Sequence, residues 1–439
     1  MPHYTPGTVG HSISGALVAS IPGDCSARYR SITRLKLQNQ TCKWYSSQII
    51  IVTLSLIMIE PTMLIIPIMC FSLILGAVLI GAFRLSPTRY ESLSRNSPID
   101  GLRGLLAISV MTHHFYVTYM WKTTGEWFAP KQYALDNLGA IAVSLFFMIT
   151  GYLFLKKMKK NEISWINLYK GRIFRIYPLY LFVGAVVFSL AVIESGYSKI
   201  GLYALIRSFV NWAMFTNSFL GSSSTNLMIS GVNWTLLYEW GFYLSLPIIY
   251  SISKWNVRCK LAILLTAPIL AYVLSETKPL FYALFALSAA STLEMRSVKK
   301  LIMRFKFISG LFLLSLISFT LFFTPAYSAQ QMILVLLVFI IVVNGGDIFG
   351  LFHLKGMKIL GDISYSIYLL HGLTLYLVFS VFDVFDFSRG FEAYCAYYPL
   401  ILAITIAASM LTYNYVEQPS IRLGRIILSS KALAFNDRQ

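Results

Sequence analysis

IDGLRGLLAISVMTHH, residues 99–114, sets charge and histidine at the two ends of an apolar run. An apolar run opens on Asp100 and Arg103 and closes on His113 and His114. Arg103 and His114 are eleven positions apart. In an α-helix that is about 16.5 Å of rise and close to three turns, so the two side chains share a face. With Arg103 at a membrane surface, His114 falls near the middle of an apolar layer about 30 Å thick. An imidazole at that depth is costly to keep and marks a functional position. The spacing favours His114 over His113 as the inward-facing ring, and the choice between them stays open here.

Composition supports the membrane setting. Of 439 residues, 57% are hydrophobic and only 12% charged, and the mean hydropathy is +0.67. A soluble domain carries about 25% charged residues. The formal net charge of +18 requires no nucleic acid, because excess Lys and Arg in a membrane protein follow topology. Cys25, Cys42, Cys70, Cys259 and Cys395 show no CxxC spacing and no metal-ligand pattern with the histidines. Neither a disulfide framework nor a metal site is implied. The first apolar run begins near Ile49, without the shape of a cleavable signal.

Residues 1–48 read as a polar basic tail. Residues 49–95 read as an extra hydrophobic segment, broken at Glu60-Pro61, with a basic linker (Arg84, Arg89, Arg95). Residues 96–425 read as the membrane domain and 426–439 as a cytoplasmic tail. The expected fold is an all-α integral membrane protein with about ten core transmembrane helices plus one or two extra N-terminal hydrophobic segments. The core spans fall near 102–120, 138–155, 173–193, 234–253, 261–275, 280–293, 307–323, 332–348, 360–383 and 396–416. No internal repeat is visible.

Ten spans place the start of the core and the C-terminus on one side. The loops on that side hold the runs Lys156–Lys160, Lys170–Arg175, Arg296–Lys306 and Arg422–Arg425. The opposite loops hold only Lys122, Lys131, Lys199, Arg207, Lys278 and Arg389. That bias puts the basic side in the cytoplasm.

Orientation gives polar residues depths. Arg172 and Arg175 are neighbours on one helical face where a span enters the membrane. Forked guanidinium donors there suit phosphate, and simple interfacial snorkelling explains them too. The outer loop 194–233 holds Trp212, Asn217, Ser222 and Asn226, which fit a sugar-binding surface and an interfacial aromatic belt equally. Glu239 lies about 7–8 Å inside the outer edge of its span. There it could orient or charge a mid-membrane histidine, or serve as a structural hydrogen-bond partner. His371 reaches the same depth as His114, with Ser364 and Tyr368 on nearby faces.

These motifs together resemble the acyltransferase-3 family of multi-spanning bacterial membrane acyltransferases. The marks are Asp100-Gly101-Leu102-Arg103-Gly104 with Arg103-x10-His114, and Phe146-Phe147-Met148-Ile149-Thr150-Gly151-Tyr152-Leu153. They continue with Arg172-x2-Arg175-Ile176-Tyr177-Pro178, Trp234-Thr235-Leu236-x2-Glu239, Ser364-Tyr365-Ser366-x-Tyr368-Leu369-x-His371 and Tyr415-Val416-Glu417-Gln418-Pro419. They run in family order over roughly residues 97–425. His113 doubles the family's usual single histidine, and Ser144 and Thr150 stand where other members often have Asp and Ser.

The resemblance implies transfer of an acyl group, usually acetyl from acetyl-CoA, to a hydroxyl of an extracytoplasmic glycan in a bacterial inner membrane. Residue by residue it implies His114 and Glu239 as catalytic. It implies Arg103, Arg172 and Arg175 as donor-binding, with Asp100, His113, Ser364, Tyr368 and His371 in support. Acetyl-CoA enters as substrate, with no metal. The acceptor is a glycan or a lipid-linked oligosaccharide, and a homo-oligomer stays open. Some members carry a fused SGNH-type hydrolase-like domain. The residues after 416 are too few for one and no Gly-Asp-Ser block occurs, so direct acylation of the acceptor is expected. A glycan or solute transporter would use the same mid-membrane polar residues, and a regulatory protein that lost the chemistry would keep the fold.

Overall fold

Pro98 at the first helical position and Ser97, whose side chain accepts a hydrogen bond from the Ile99 amide, start the helix that carries residues 99–114. The computed structural model describes residues 61–82, 97–160, 164–196, 201–216, 218–220, 223–254, 260–293 and 295–436. The expectations placed on 1–60, on the linker arginines and on Asn217 and Ser222 lie outside the described residues.

In chain order the helices are α1 (Ile65–Ala82), α2 (Pro98–Thr124), α3 (Tyr133–Lys159), α4 (Trp165–Ser195) and α5 (Leu202–Ala213). After a short antiparallel ladder, β1 (Phe219–Leu220) with β2 (Ser223–Ser224), come α6 (Trp234–Lys254), α7 (Lys260–Ser275), α8 (Pro279–Leu287) and α9 (Arg296–Arg304). The chain continues through α10 (Lys306–Phe323), α11 (Ala329–Val343), α12 (Lys355–Asp362) and α13 (Ser364–Tyr376). It closes with α14 (Gly390–Cys395), α15 (Tyr398–Thr412) and α16 (Gln418–Asn436). Two π-helical turns, Leu377–Val381 and Tyr413–Glu417, extend α13 and join α15 to α16.

The expectation of about ten spans is corrected. The fold is all-α apart from the two-residue ladder. Five helical stretches among the described residues are long and apolar enough to cross a membrane: Tyr133–Lys159, Trp165–Ser195, Lys306–Phe323, Ser364–Val381 and Tyr398–Ile427. A sixth is counted if Thr266–Ser275 and Pro279–Thr292, bent by 118°, form one broken span. The remaining candidates fail for physical reasons. The helix α2 is long, but Asp100, Arg103, His113 and His114 make it too polar. Glu239 and a run of Trp and Tyr do the same to α6. The apolar stretches Ile65–Gly81 and Ala329–Val343 are short. Helices that bear the polar groups of the interior score low, whereas five are long and apolar enough to cross. Five such helices make this a multi-pass membrane protein.

The centre of the bundle is α2, packed on α3, α12 and α13. Its approach to α12 is set by glycine. A Cβ on Gly101 would overlap the Phe352 backbone, and one on Gly361 would overlap the Asp100 carbonyl oxygen. Backbone cannot yield as a flexible side chain would, so small residues let the two helices touch. This contact brings Asp362, at the end of α12, to the start of α2. Gly361→Ala is therefore expected to destabilise the protein by about 2–3 kcal/mol. Gly76→Ala on α1, where an added methyl meets nothing within 4 Å, should be neutral. Thermal midpoints of both variants in detergent test this, and equal midpoints would remove the argument.

Candidate active site

The eleven-residue spacing on α2 resolves into two polar regions, one at each end of the shared helical face. Around Arg103, at the start of α2, charges concentrate. Asp100, Asp362, Glu417 and Arg175 all lie within electrostatic range of its guanidinium. Glu417 is fully buried and accepts a hydrogen bond from Ser366 Oγ at 2.8 Å. The π-helical turn Tyr413–Glu417 places it there by shifting the helical register by one residue. Sequence reading quoted Glu417 within a motif without giving it a role. Its late position after an apolar span was the available signal.

A cavity of about 340 Å³ opens beside this cluster. Its charged lining is Arg103, Lys157, Arg172, Arg175 and Glu239, and Ser364 is among the hydroxyls that join them. An adjoining cavity of about 410 Å³ shares Phe154, Lys157, Arg172 and Arg175 with it and adds Ser164, Asn167 and Arg425. The guanidinium of Arg172 rests over Phe154 and Tyr243, 5.1 and 5.7 Å from the ring centroids. Cation–π contacts of this kind hold a guanidinium without using up its N–H donors. Ser364 is buried, and its Oγ has no hydrogen-bond partner among the described residues. A buried hydroxyl in a cavity wall with no protein partner is available to a ligand.

Glu239 belongs to this region. Its Oε1 accepts from Thr150 Oγ1 at 3.3 Å and its Oε2 from the Tyr243 hydroxyl at 3.0 Å. The structure thus sets Glu239 among the arginines of the cavity, while His114 pairs with His371 and with the Val110 backbone.

The histidines occupy the second region. His371 Nδ1 lies 3.1 Å from the Ile367 carbonyl oxygen. Its Nε2 lies 3.0 Å from His114 Nδ1. A carbonyl only accepts, so His371 Nδ1 carries a proton. In a neutral ring the His371 Nε2 then accepts, and His114 Nδ1–H donates to it. The chain of hydrogen bonds leaves the His114 Nε2 lone pair free. His371 is fully buried, whereas His114 keeps partial exposure. His113 turns the other way. Its Nδ1–H donates to the Leu135 carbonyl at 2.9 Å, and its ring lies against Gly139.

Tyr368 connects the two regions. It lines the cavity, its hydroxyl pairs with Thr235 Oγ1 at 2.8 Å, and its ring centroid is 6.1 Å from that of His371. The outer-loop Trp212 serves neither a belt nor a sugar surface. It is fully buried and stacked on Tyr180 at 5.0 Å. Sequence reading missed Trp127, whose ring stacks on His114 with centroids 6.2 Å apart. Among the described residues, no group of three or more His, Cys, Asp or Glu is placed to hold a metal ion.

Comparison with known proteins adds a family. The model of the acyltransferase domain matches residues 96–414. Over 167 residues the chain is 26% identical to "Acyltransferase MdmB" of Streptomyces mycarofaciens, a match covering 36% of this chain and 39% of that one. Over 212 residues it is 26% identical to "Nodulation protein 10" of Rhizobium leguminosarum bv. viciae, covering 44% of this chain and 54% of the other. The chain thus spans about half the length of the curated relatives it matches, or less. No solved structure matches it.

Proposed function

We propose a function from one premise: the chain belongs to the acyltransferase domain family, which accounts for residues 96–414. The protein is a membrane O-acyltransferase that moves an acyl group, acetyl in the first instance, from acyl-CoA to a hydroxyl of a cell-surface or secreted glycan. The observation that carries this reading is the free Nε2 of His114, left unprotonated by the run of hydrogen bonds from Ile367 through His371. In the proposed step the acceptor hydroxyl gives its proton to that nitrogen while its oxygen attacks the thioester carbonyl carbon. The tetrahedral intermediate collapses, the C–S bond breaks, and the departing thiolate takes the proton back from the imidazolium. His371 holds the ring in the productive tautomer and accepts from its Nδ1–H throughout.

The donor side follows from charge. Acyl-CoA is a substrate whose phosphates need cations and whose pantetheine arm needs a narrow path. Lys157, Arg172, Arg175 and Arg425 line the outer cavity, and the inner one runs past Arg103 and Ser364 to Tyr368. The basic residues gathered around these cavities support a cytoplasmic face for the donor side. Glu239 is assigned to the same side. By accepting from Tyr243, over which Arg172 lies, it fixes the platform for that guanidinium.

Radiolabelled acetyl-CoA, incubated with proteoliposomes and the envelope glycan of the cells that make the protein, tests the reading. Label should appear on glycan. Glycan crossing the bilayer without label would replace the enzyme with a transporter. Arg172→Ala is expected to raise the donor half-saturation concentration about tenfold or more, the value of one lost charge-assisted hydrogen bond. An unchanged donor half-saturation would withdraw the phosphate assignment.

A further inference from the structure

Three aromatic rings and two charges gather beside His114: Trp127 from the loop after α2, Trp121 and Lys122 from the last turn of α2, Glu194 from the end of α4 and Tyr376 from the end of α13; none of them lines either cavity. Gly125, in the left-handed region at φ 78°, ends α2, and its amide donates to the Trp121 carbonyl at 2.9 Å. The chain folds back there, so Trp127 returns over the last turns of its own helix. Its ring lies nearly parallel to that of His114, at 24° and 6.2 Å between centroids. Trp121 meets it edge-on at 5.7 Å, and Tyr376 stacks on Trp121 at 6.4 Å and 19°. The Tyr376 hydroxyl donates to Glu194 Oε1 at 2.5 Å, and Lys122 Nζ lies 5.7 Å over the Trp121 ring. All three rings are half-buried, and Glu194 is exposed.

We propose that Trp127, Trp121 and Tyr376, rimmed by Glu194 and Lys122, form the acceptor subsite: a stacking platform for a carbohydrate ring that presents its hydroxyl to His114. This rests on the acyl-transfer reading above. A pyranose is amphipathic, with C–H faces that lie on aromatic rings and hydroxyl edges that need charged or polar partners. The five side chains supply both. A lipid chain has no use for Glu194 and Lys122, and an anionic headgroup would be repelled by Glu194. A belt tryptophan puts its ring among lipid headgroups, whereas Trp127 turns onto a histidine. The histidine pair then stands between two substrates, with Tyr368 of the cavity wall 6.1 Å from His371 and Trp127 of the platform 6.2 Å from His114.

The test uses the full chain in proteoliposomes, with the envelope glycan fraction of the producing cells tritiated by borohydride reduction. Glycan binding is read by equilibrium dialysis without donor, and transfer is read separately with labelled acetyl-CoA. Trp127→Ala should weaken glycan binding, and raise the acceptor half-saturation, about tenfold or more, the usual scale for removing a stacked tryptophan. The donor half-saturation should stay within about twofold, below one hydrogen bond's worth. Trp127→Phe keeps a stacking face and should recover most of the loss, which separates the subsite from a folding defect. Transfer with unchanged acceptor half-saturation and binding in Trp127→Ala overturns the platform and leaves the acyltransferase standing. Trp127-dependent binding without transfer by the wild-type chain does the reverse. Neither binding nor transfer by the wild-type chain overturns both.

Discussion

Replacing His114 with alanine is expected to lower kcat by about 10²–10⁴ while leaving the donor half-saturation unchanged, since a general base acts in the transition state and not in donor binding. His114 is half-buried and lies outside the donor cavity wall, so its loss removes a proton acceptor without removing a phosphate contact. The same change at His113 should do far less to the chemistry, because that ring is committed to the Leu135 carbonyl. His371 gives the sharper test. His371→Leu removes the acceptor for His114 Nδ1–H and frees the ring to adopt the other tautomer. His371→Gln can still accept through its amide oxygen and should keep about tenfold more activity than the leucine variant, the energy of one hydrogen bond to the ring. Equal activity of the two variants would show that His371 only fills space. Initial rates with graded donor at saturating acceptor, and with graded acceptor at saturating donor, measure all four variants.

What the sequence made legible was whatever depends on helical period. Arg103 and His114 share a face because eleven residues close three turns, and His371 reaches the same depth by the same count. The structure accordingly brings His114 and His371 within 3.0 Å. What it hid depends on packing between elements distant in sequence. Glu239 read as an outer-half carboxylate, yet Thr150 and Tyr243 hold it among the arginines of the cavity. Trp127 lies in a loop, where no period predicts a neighbour, and only the turn at Gly125 carries it back to His114. The span count failed for a related reason. Hydropathy is lowered by the polar groups these helices carry, Asp100, Arg103 and two histidines on α2 and Glu239 on α6. The glycines of the Asp-Gly-Leu-Arg-Gly motif carried no chemistry in the sequence, and their meaning appears only as the contact between α2 and α12.

Glu417→Ala should produce the largest loss of stability among single polar substitutions, about 3–5 kcal/mol, the cost of leaving neighbouring charge uncompensated in the interior. The carboxylate is fully buried, with Arg103, Arg175 and Asp362 in electrostatic range. Its hydrogen bond from Ser366 ties the start of α13 to the junction of α15 and α16. Deleting it leaves Arg103 and Arg175 to repel one another with only the two aspartates nearby, and it orphans the Ser366 hydroxyl. Glu417→Gln keeps an acceptor for Ser366 and removes only the charge, so it should fall between the wild-type chain and alanine. Adding Arg175→Ala to Glu417→Ala should cost less than the sum of the two single changes, because the second removes a charge that the first left unpaired. Thermal midpoints in one detergent, followed by tryptophan fluorescence, decide the matter. Strict additivity of the two changes would mean that Glu417 and Arg175 do not act as a pair, and that the cavity keeps its charges by hydration alone.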